Sequence, residues 1–303
     1  MGRLGGAMPS LRVYSAGSVD VIIALVLLSA FLHAAWNALL RLETDKDRSL
    51  VAATILATAF SVIVTGTRWW LGEAPFASLD GLGFTVMAGV FEGSYFATLA
   101  AAMTRGSLGT VYTISRGGAV LVVWPLSVVV FSEVATVGSI VGSVIVVAGL
   151  ALSGLGAGAG TGGRGQRGAI GWAVLCAASI AGYHLGYKAA LRDGVNPSAC
   201  FAVALGVSAA LNTLRLGASG RREMVARIRQ RWPRLTVMGL ILAASFILLM
   251  EALARSGSGF VLTLRNTSVL FAAALAWWIG ERPTWRALVG AGLVAAGAAV
   301  MAW

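Results

Sequence analysis

The chain has 303 residues, of which 58% are hydrophobic and 12% charged, and its mean hydropathy is +0.83. So little polar surface cannot solvate a globular domain of this size, and the bilayer is the natural solvent. The formal net charge of +11 does not indicate nucleic acid, because the sequence offers no soluble module to carry a basic face.

A spanning helix needs roughly 20 mainly apolar residues. Charged residues, Gly and Pro cut the chain into ten such stretches, at 19–40, 50–71, 81–103, 107–131, 135–155, 169–190, 198–217, 235–254, 258–280 and 284–302. Unpaired backbone is not tolerated in hydrocarbon, and continuous apolar runs such as VIIALVLLSAFL argue for helices over a barrel. The expected fold is an all-α integral membrane protein with ten transmembrane helices. Residues 1–18 read as an N-terminal tail. The first span is too long for a signal-peptide core and is expected to be retained.

The chain nearly repeats itself. HAAWNALLR, from His33 to Arg41, returns 151 residues later as HLGYKAALR, from His184 to Arg192. At an offset of 150, Phe96 matches Phe246, Arg105 matches Arg255, Gly109 matches Gly259 and Thr113 matches Thr263. At an offset of 148, Glu133 matches Glu281, Thr136 matches Thr284, Gly142 matches Gly290 and Gly149 matches Gly297. The change of offset requires two extra residues between Thr113 and Glu133. Pro125 in that stretch predicts a kink or local break of the fourth span. Five spans per half is an odd number, so the second half enters the membrane in the opposite sense. The expected domains are two inverted five-helix repeats, 19–155 and 169–303, joined by a Gly-rich linker at 156–168. In that architecture substrate binds near the midplane and access alternates by rocking, which points to a secondary transporter.

Lys and Arg cluster in the loops after odd-numbered spans: 15 lie there (Arg41, Lys46, Arg48, Arg105, Arg164, Arg167, Arg215, Arg221, Arg222, Arg227, Arg229, Arg231, Arg234, Arg282 and Arg286), against five on the other side. The positive-inside rule places the larger set in the cytoplasm and both termini outside. RREMVARIRQRWPR dominates this bias and has the composition of a basic amphipathic helix on anionic lipid. Cys176 and Cys200 fall in or beside separate spans and suggest neither a disulfide nor a metal site.

The chemistry is expected where ionisable residues interrupt the spans, since each costs about 2.5 to 3.5 kcal/mol at a helix centre and is retained only if paired or useful. Glu92, followed by Tyr95, lies mid-span in FEGSYF and reads either as a cation or proton site or as half of a buried ion pair with Arg116 or another Arg. Arg116 and Arg265 lie roughly 14 and 11 Å into spans that start on opposite faces, so they converge on the midplane. Two guanidinium groups there can hold a carboxylate, phosphate or phosphonate; alternatively Glu92 and Glu251 neutralise them. His33, Trp36 and Asn37, with their counterparts His184, Tyr187 and Lys188, stand at i, i+3 and i+4, which places each set on one helix face. That face serves a cavity or the packing of the repeats. Lys188 and Glu251 lie near span ends, where snorkelling accounts for them. Gly138 with Gly142, and Gly290 with Gly297, mark close helix packing in a scaffold or dimer role. Trp69, Trp70, Trp277, Trp278 and Trp303 read as interface anchors, and Glu133 and Glu281 as capping residues at helix starts.

H-x-x-W-N at the end of the first span, Y-x-I-S-R-G from Tyr112 to Gly117, R-x-T-S from Arg265 through Asn266 to Ser268, and Gly280-Glu281 before the last span together resemble the EamA branch of the drug/metabolite transporter superfamily. The resemblance covers almost the whole chain from the first span onward. It implies a five-plus-five transporter fold, and it leaves the solute open among amino acids, amines, sugars, nucleotide-related metabolites and drugs. Family members often keep both termini inside, in contrast to the charge count. No Walker-type loop, H-E-x-x-H or nucleophile elbow occurs; no enzymatic activity, cofactor or metal is expected. Energy for uphill transport must come from a coupling proton, another ion gradient or an exchanged solute.

The leading expectation is a secondary active transporter of a small anionic or zwitterionic metabolite in the plasma (inner) membrane. It binds through Arg116, Arg265, Glu92, Tyr95, Tyr112, His33, Trp36, Asn37, His184, Tyr187 and Asn266, and has the lipid bilayer and a second copy of itself as further partners. One alternative is a proton-coupled exporter of cationic drugs or amines working through Glu92. Another is a non-transporting membrane subunit or lipid-carrier flippase component.

Overall fold

The computed structural model describes residues 16–103, 105, 111, 113–155, 164–278 and 284–301. Of the described residues 89% are helical and none lies in a strand, which removes the barrel alternative. The helices are α1 (Ala16–Arg41), α2 (Lys46–Trp70), α3 (Leu79–Met103), a π-helical turn (Thr113–Gly117) running into α4 (Gly118–Phe131), α5 (Val137–Leu155), α6 (Arg164–Arg192), α7 (Pro197–Arg215), α8 (Gly217–Arg255), α9 (Ser258–Arg265), α10 (Ser268–Trp278) and α11 (Trp285–Met301). Among the described residues, eight segments are long and apolar enough to cross a membrane, while Val137–Leu152 and Leu288–Met301 are shorter apolar helices. The chain is a multi-pass membrane protein. Gly109, Tyr112, Gly280, Glu281, Arg282 and Trp303, most of the N-terminal tail and 156–163 of the linker lie outside the described residues.

Local chemistry sets the helix ends. Asp45 caps α2, its carboxylate accepting from the Arg48 amide at 3.1 Å. Asn196 caps α7 through the Ser198 amide at 3.0 Å, with Pro197 at the first helical position, where its missing N–H costs nothing. The α6 chain reverses at Gly194 (φ +82°), and Val195 N–H closes the turn on the Ala190 carbonyl at 3.1 Å.

Three boundaries differ from the sequence expectation. The fourth span changes its winding at Thr113–Gly117, not at Pro125, through which α4 runs as one helix. A π turn absorbs an inserted residue, and this one stands within the stretch where the repeat loses register. Helix α6 begins at Arg164, inside the segment read as linker. The basic stretch before the eighth span is helical and joins that span across non-helical torsions at Arg231 (φ −122°, ψ 20°), just ahead of Pro233.

Helix α3 packs on α6 and α7, α8 packs on α1 and α2, α2 meets α7, and α5 pairs with α11. Glycines permit the closest approaches. A Cβ on Gly142 would come within 2.5 Å of the Gly297 carbonyl, and one on Gly149 within 2.6 Å of the Gly290 carbonyl. Contacts that descend one helix while climbing the other make α5 and α11 antiparallel. The outer surface is apolar, with Val129 80% and Val144 64% exposed, whereas Glu92, His33, His184, Arg265 and Asn266 are buried. Polar inside and apolar outside is the arrangement that a bilayer solvent selects.

Candidate solute site

The fourth and ninth spans are both irregular where their arginines stand. Arg116 belongs to the π turn preceding α4, and Arg265 ends α9, separated from α10 by Asn266 and Thr267. Turn hydrogen bonds replace helical ones across that break, from Val269 N–H to Asn266 O (3.0 Å) and from Leu270 N–H to Thr267 O (2.9 Å). Broken helices inside a membrane are tolerated where they line a cavity, and they are a feature of transporter binding sites.

Both arginines meet one histidine of α1. Arg265 Nη2 lies 3.1 Å from His33 Nδ1, and Arg116 Nη2 contacts His33 Nε2. Trp36 Nε1 donates to the same Nδ1 at 3.3 Å and sets the ring edge-on to its own indole. Among the described residues three donors thus face the imidazole, yet a neutral imidazole has only one acceptor nitrogen. The imidazole cannot accept from all of them. Arg265 is 2% exposed, stands 4.3 Å over the Phe246 ring, has no hydrogen-bond partner at Nε and faces no carboxylate in an ion pair among the described residues.

His33, Tyr95, Arg116, Tyr183, His184, Arg265 and Asn266, with Ile180 and Leu262, enclose a cavity of about 10 Å³ open to the centre of a water-sized sphere. That is room for about one water, so the site is closed on itself. Both ring nitrogens of His184, both amide atoms of Asn266 and the Tyr187 hydroxyl have no hydrogen-bond partner among the described residues. His184 stacks on Tyr183 at 4.9 Å, and Tyr183 in turn meets Tyr95 at 5.7 Å.

Glu92 is fully buried, and neither of its carboxylate oxygens has a hydrogen-bond partner among the described residues. It is therefore not half of an ion pair with Arg116. Tyr187 is a polar neighbour of Glu92, and Arg265 a charge whose field reaches it. Glu251 serves neither central arginine; it pairs with Arg68 (2.7 Å) and Arg255 (2.6 Å).

Of the paired motif residues, His33 and His184 reach the cavity, Trp36 orients His33, and Tyr187 lies beside Glu92. Asn37 does not line the cavity: its side chain donates to the carbonyl of His33 in its own helix at 2.7 Å. Lys188 does not snorkel. It is 8% exposed and donates to the carbonyls of Leu253 (2.9 Å) and Ser256 (2.7 Å), ending α8. Glu133 does cap a helix start, but of α9 in the other half, where its carboxylate accepts from Ser258 N–H at 2.8 Å and Ser258 Oγ at 3.0 Å. The sequence reading missed Tyr183 and Phe246. Tyr183 was within reach, because it stands one turn before Tyr187 on the same face. Phe246 carries no chemical signal of its own.

No curated protein matches the chain. Among solved structures, one described only as the crystal structure of a protein is 17% identical and superposes with a TM-score of 0.71, covering 95% of this chain and 99% of that one. At that identity the likeness concerns the fold. The model of the EamA-like transporter family matches residues 167–303, from the start of α6 through α11, where it takes in His184, Tyr187, Arg265 and Asn266. By that match and by the motifs it contains, the second half of the chain is similar to the EamA-like transporter family.

Proposed function

We propose that the protein is a secondary active transporter of a small anionic or zwitterionic metabolite, working in the plasma membrane by alternating access between two inverted five-helix repeats. The observation that carries the solute class is Arg265, a buried guanidinium with no carboxylate partner among the described residues, set against an imidazole that already faces three donors. An entering carboxylate, phosphate or phosphonate supplies the missing acceptor oxygens in a geometry that the guanidinium fork matches.

The inverted arrangement has support in packing. In the repeat, α5 corresponds to α11, and the two cross antiparallel at Gly142–Gly297 and Gly149–Gly290. Equivalent helices that run opposite ways support inverted halves. The same exchange occurs elsewhere: a Cβ on Gly89 would meet the Ala204 carbonyl at 2.6 Å, and one on its counterpart Gly239 would meet the carbonyl of Ala53, the counterpart of Ala204, at 3.0 Å. Residues of α3 and α8 thus pack on α7 and α2 of the opposite half, and in this reading transport rocks one half against the other.

A thermal-shift screen of purified protein tests the reading, since a ligand that binds only the folded state stabilises it by mass action. Stabilisation by carboxylates, phosphonates or amino acids, lost in Arg265→Gln, supports it. Stabilisation by amines and cationic dyes alone overturns it in favour of a second reading, proton-coupled cation export. The unpartnered Glu92 motivates that second reading, which predicts that Glu92→Gln abolishes transport while Arg116→Ala leaves specificity unchanged.

A further inference from the structure

The leading part of α8, residues 217–230, belongs to no apolar stretch: the span it joins begins near Leu235, beyond the break at Arg231. Its inner face is tied down. Met224 is buried, and Arg227 and Arg234 reach Glu43 at 3.7 and 3.3 Å, in the loop between α1 and α2, where the Glu43 side chain is wholly covered. Arg48 takes Asp45 (2.5 Å) and Glu223 (2.8 Å), and Arg215 takes Asp47 (2.5 Å). The described acidic residues at this end of the molecule are thereby all engaged by other arginines.

What remains faces outward. Ala218, Arg221, Arg222, Val225, Ala226 and Arg229 follow the i, i+3, i+4, i+7 rhythm of one helix face and line a shallow depression of about 480 Å³. Arg221, Arg222 and Arg229 make no ion pair among the described residues. The floor between them is apolar, and Trp232, 62% exposed, stands at the junction with the membrane span. Three guanidinium groups on an apolar floor, beside an exposed tryptophan at the foot of a spanning helix, match a phosphodiester headgroup at the bilayer surface: the forks take phosphate oxygens, and the indole sits at headgroup depth. A soluble anion has no use for the apolar floor or the indole.

We propose that the outward face of residues 217–230 is a binding site for anionic phospholipid headgroups of the adjoining leaflet, with Arg221, Arg222 and Arg229 as phosphate ligands and Trp232 as interfacial anchor. This site is independent of the solute cavity. It also gives the strongest basic cluster of the chain a role beyond orientation.

The test uses full-length protein in neutral detergent, titrated with mixed micelles of phosphatidylglycerol or phosphatidylcholine, with bound lipid counted by native mass spectrometry. The expected result is at least about tenfold preference for phosphatidylglycerol, reduced to parity in the triple variant Arg221→Gln, Arg222→Gln, Arg229→Gln and kept when the same three become Lys. Should the Gln variant fail to fold, the wild-type preference must still shrink between about 50 mM and about 500 mM salt, as interfacial charge attraction requires. Equal retention of the two lipids, or a preference indifferent to both the Gln substitutions and salt, overturns the proposal. So does competition by soluble glycerophosphoglycerol at the lipid's own concentration, which assigns the face to a free phosphate ester.

Discussion

Replacing Arg265 by Gln separates a solute-binding arginine from a structural one, because the two roles predict opposite effects on the empty protein. Among the described residues the guanidinium contacts His33 at 3.1 Å and the ring face of Phe246 at 4.3 Å. A hydrogen bond to a charged group contributes about 1.5 to 3 kcal/mol, and a desolvated cation–π contact about 2 kcal/mol. Against them stands a desolvation cost of several kcal/mol for a buried ion. The balance is close to zero, so Arg265→Gln leaves the melting temperature of the ligand-free protein within a few degrees of the wild type or raises it. The anion-bound protein behaves otherwise. Truncating one partner of a buried charge pair costs about 2 to 5 kcal/mol, so affinity falls about 30-fold or more. Ligand at 100 times its wild-type Kd stabilises the wild type by about 2.7 kcal/mol, and in the variant most of that shift disappears. Differential scanning fluorimetry with and without the best anion from the screen reads both numbers. A variant that loses more than about 3 kcal/mol without ligand and keeps its ligand-induced shift refutes the argument, because Arg265 is then a structural ion with a protein partner.

Glu92→Gln keeps volume and hydrogen-bonding capacity but cannot exchange a proton, so it should fold as the wild type does while transport in proteoliposomes loses its response to an imposed pH gradient; an unchanged response excludes Glu92 from coupling. Gly297→Ala should lower stability by about 1 to 3 kcal/mol, because the new Cβ meets the Gly142 carbonyl at 2.6 Å and backbone cannot step aside. Gly292→Ala, with nothing within 4 Å of its Cβ, should leave stability unchanged or raise it by up to about 1 kcal/mol; equal effects in thermal melts of the two variants contradict the α5–α11 packing. At the α1–α2 loop, burial pushes the Asp45 carboxyl up, but hydrogen bonds from the Arg48 side chain and amide, with the charges of Arg48 and Arg227, outweigh it and hold it below the usual carboxylate range. A depressed carboxylate contributes stability that is present above its unfolded value, about 3.9, and lost as pH falls through the folded one. Asp45→Asn should therefore be less stable than the wild type at neutral pH and converge with it below about pH 4, in melts recorded against pH.

The sequence by itself determined the solvent, the helical class and the places where helices interrupt their apolar surface, because bilayer thickness and backbone satisfaction admit few solutions for such a composition. It also exposed the internal repeat, since the duplicated motif His33–Arg41 and His184–Arg192 can be read as letters. The depth argument for Arg116 and Arg265 needed only the rise per residue of a helix, and the two do meet at His33. What only the tertiary structure decided is partnership. Glu92 and Arg116 are equally good as an ion pair on paper, yet Glu92 lies beside Tyr187, while Arg116 turns to His33. Lys188 looks like a snorkelling residue from its position, but the carbonyls of Leu253 and Ser256 lie at its head, and they come from the end of α8, 65 and 68 residues away in the chain. Pro125 drew the eye as a breaker, although the winding changes at a π turn that no residue type announces. The physical reason is common to these cases. Hydropathy and periodicity are properties of one helix, whereas the neighbour of a buried charge is set by which helices cross and at what register, and that is fixed by contacts such as Gly142 on Gly297 far along the chain.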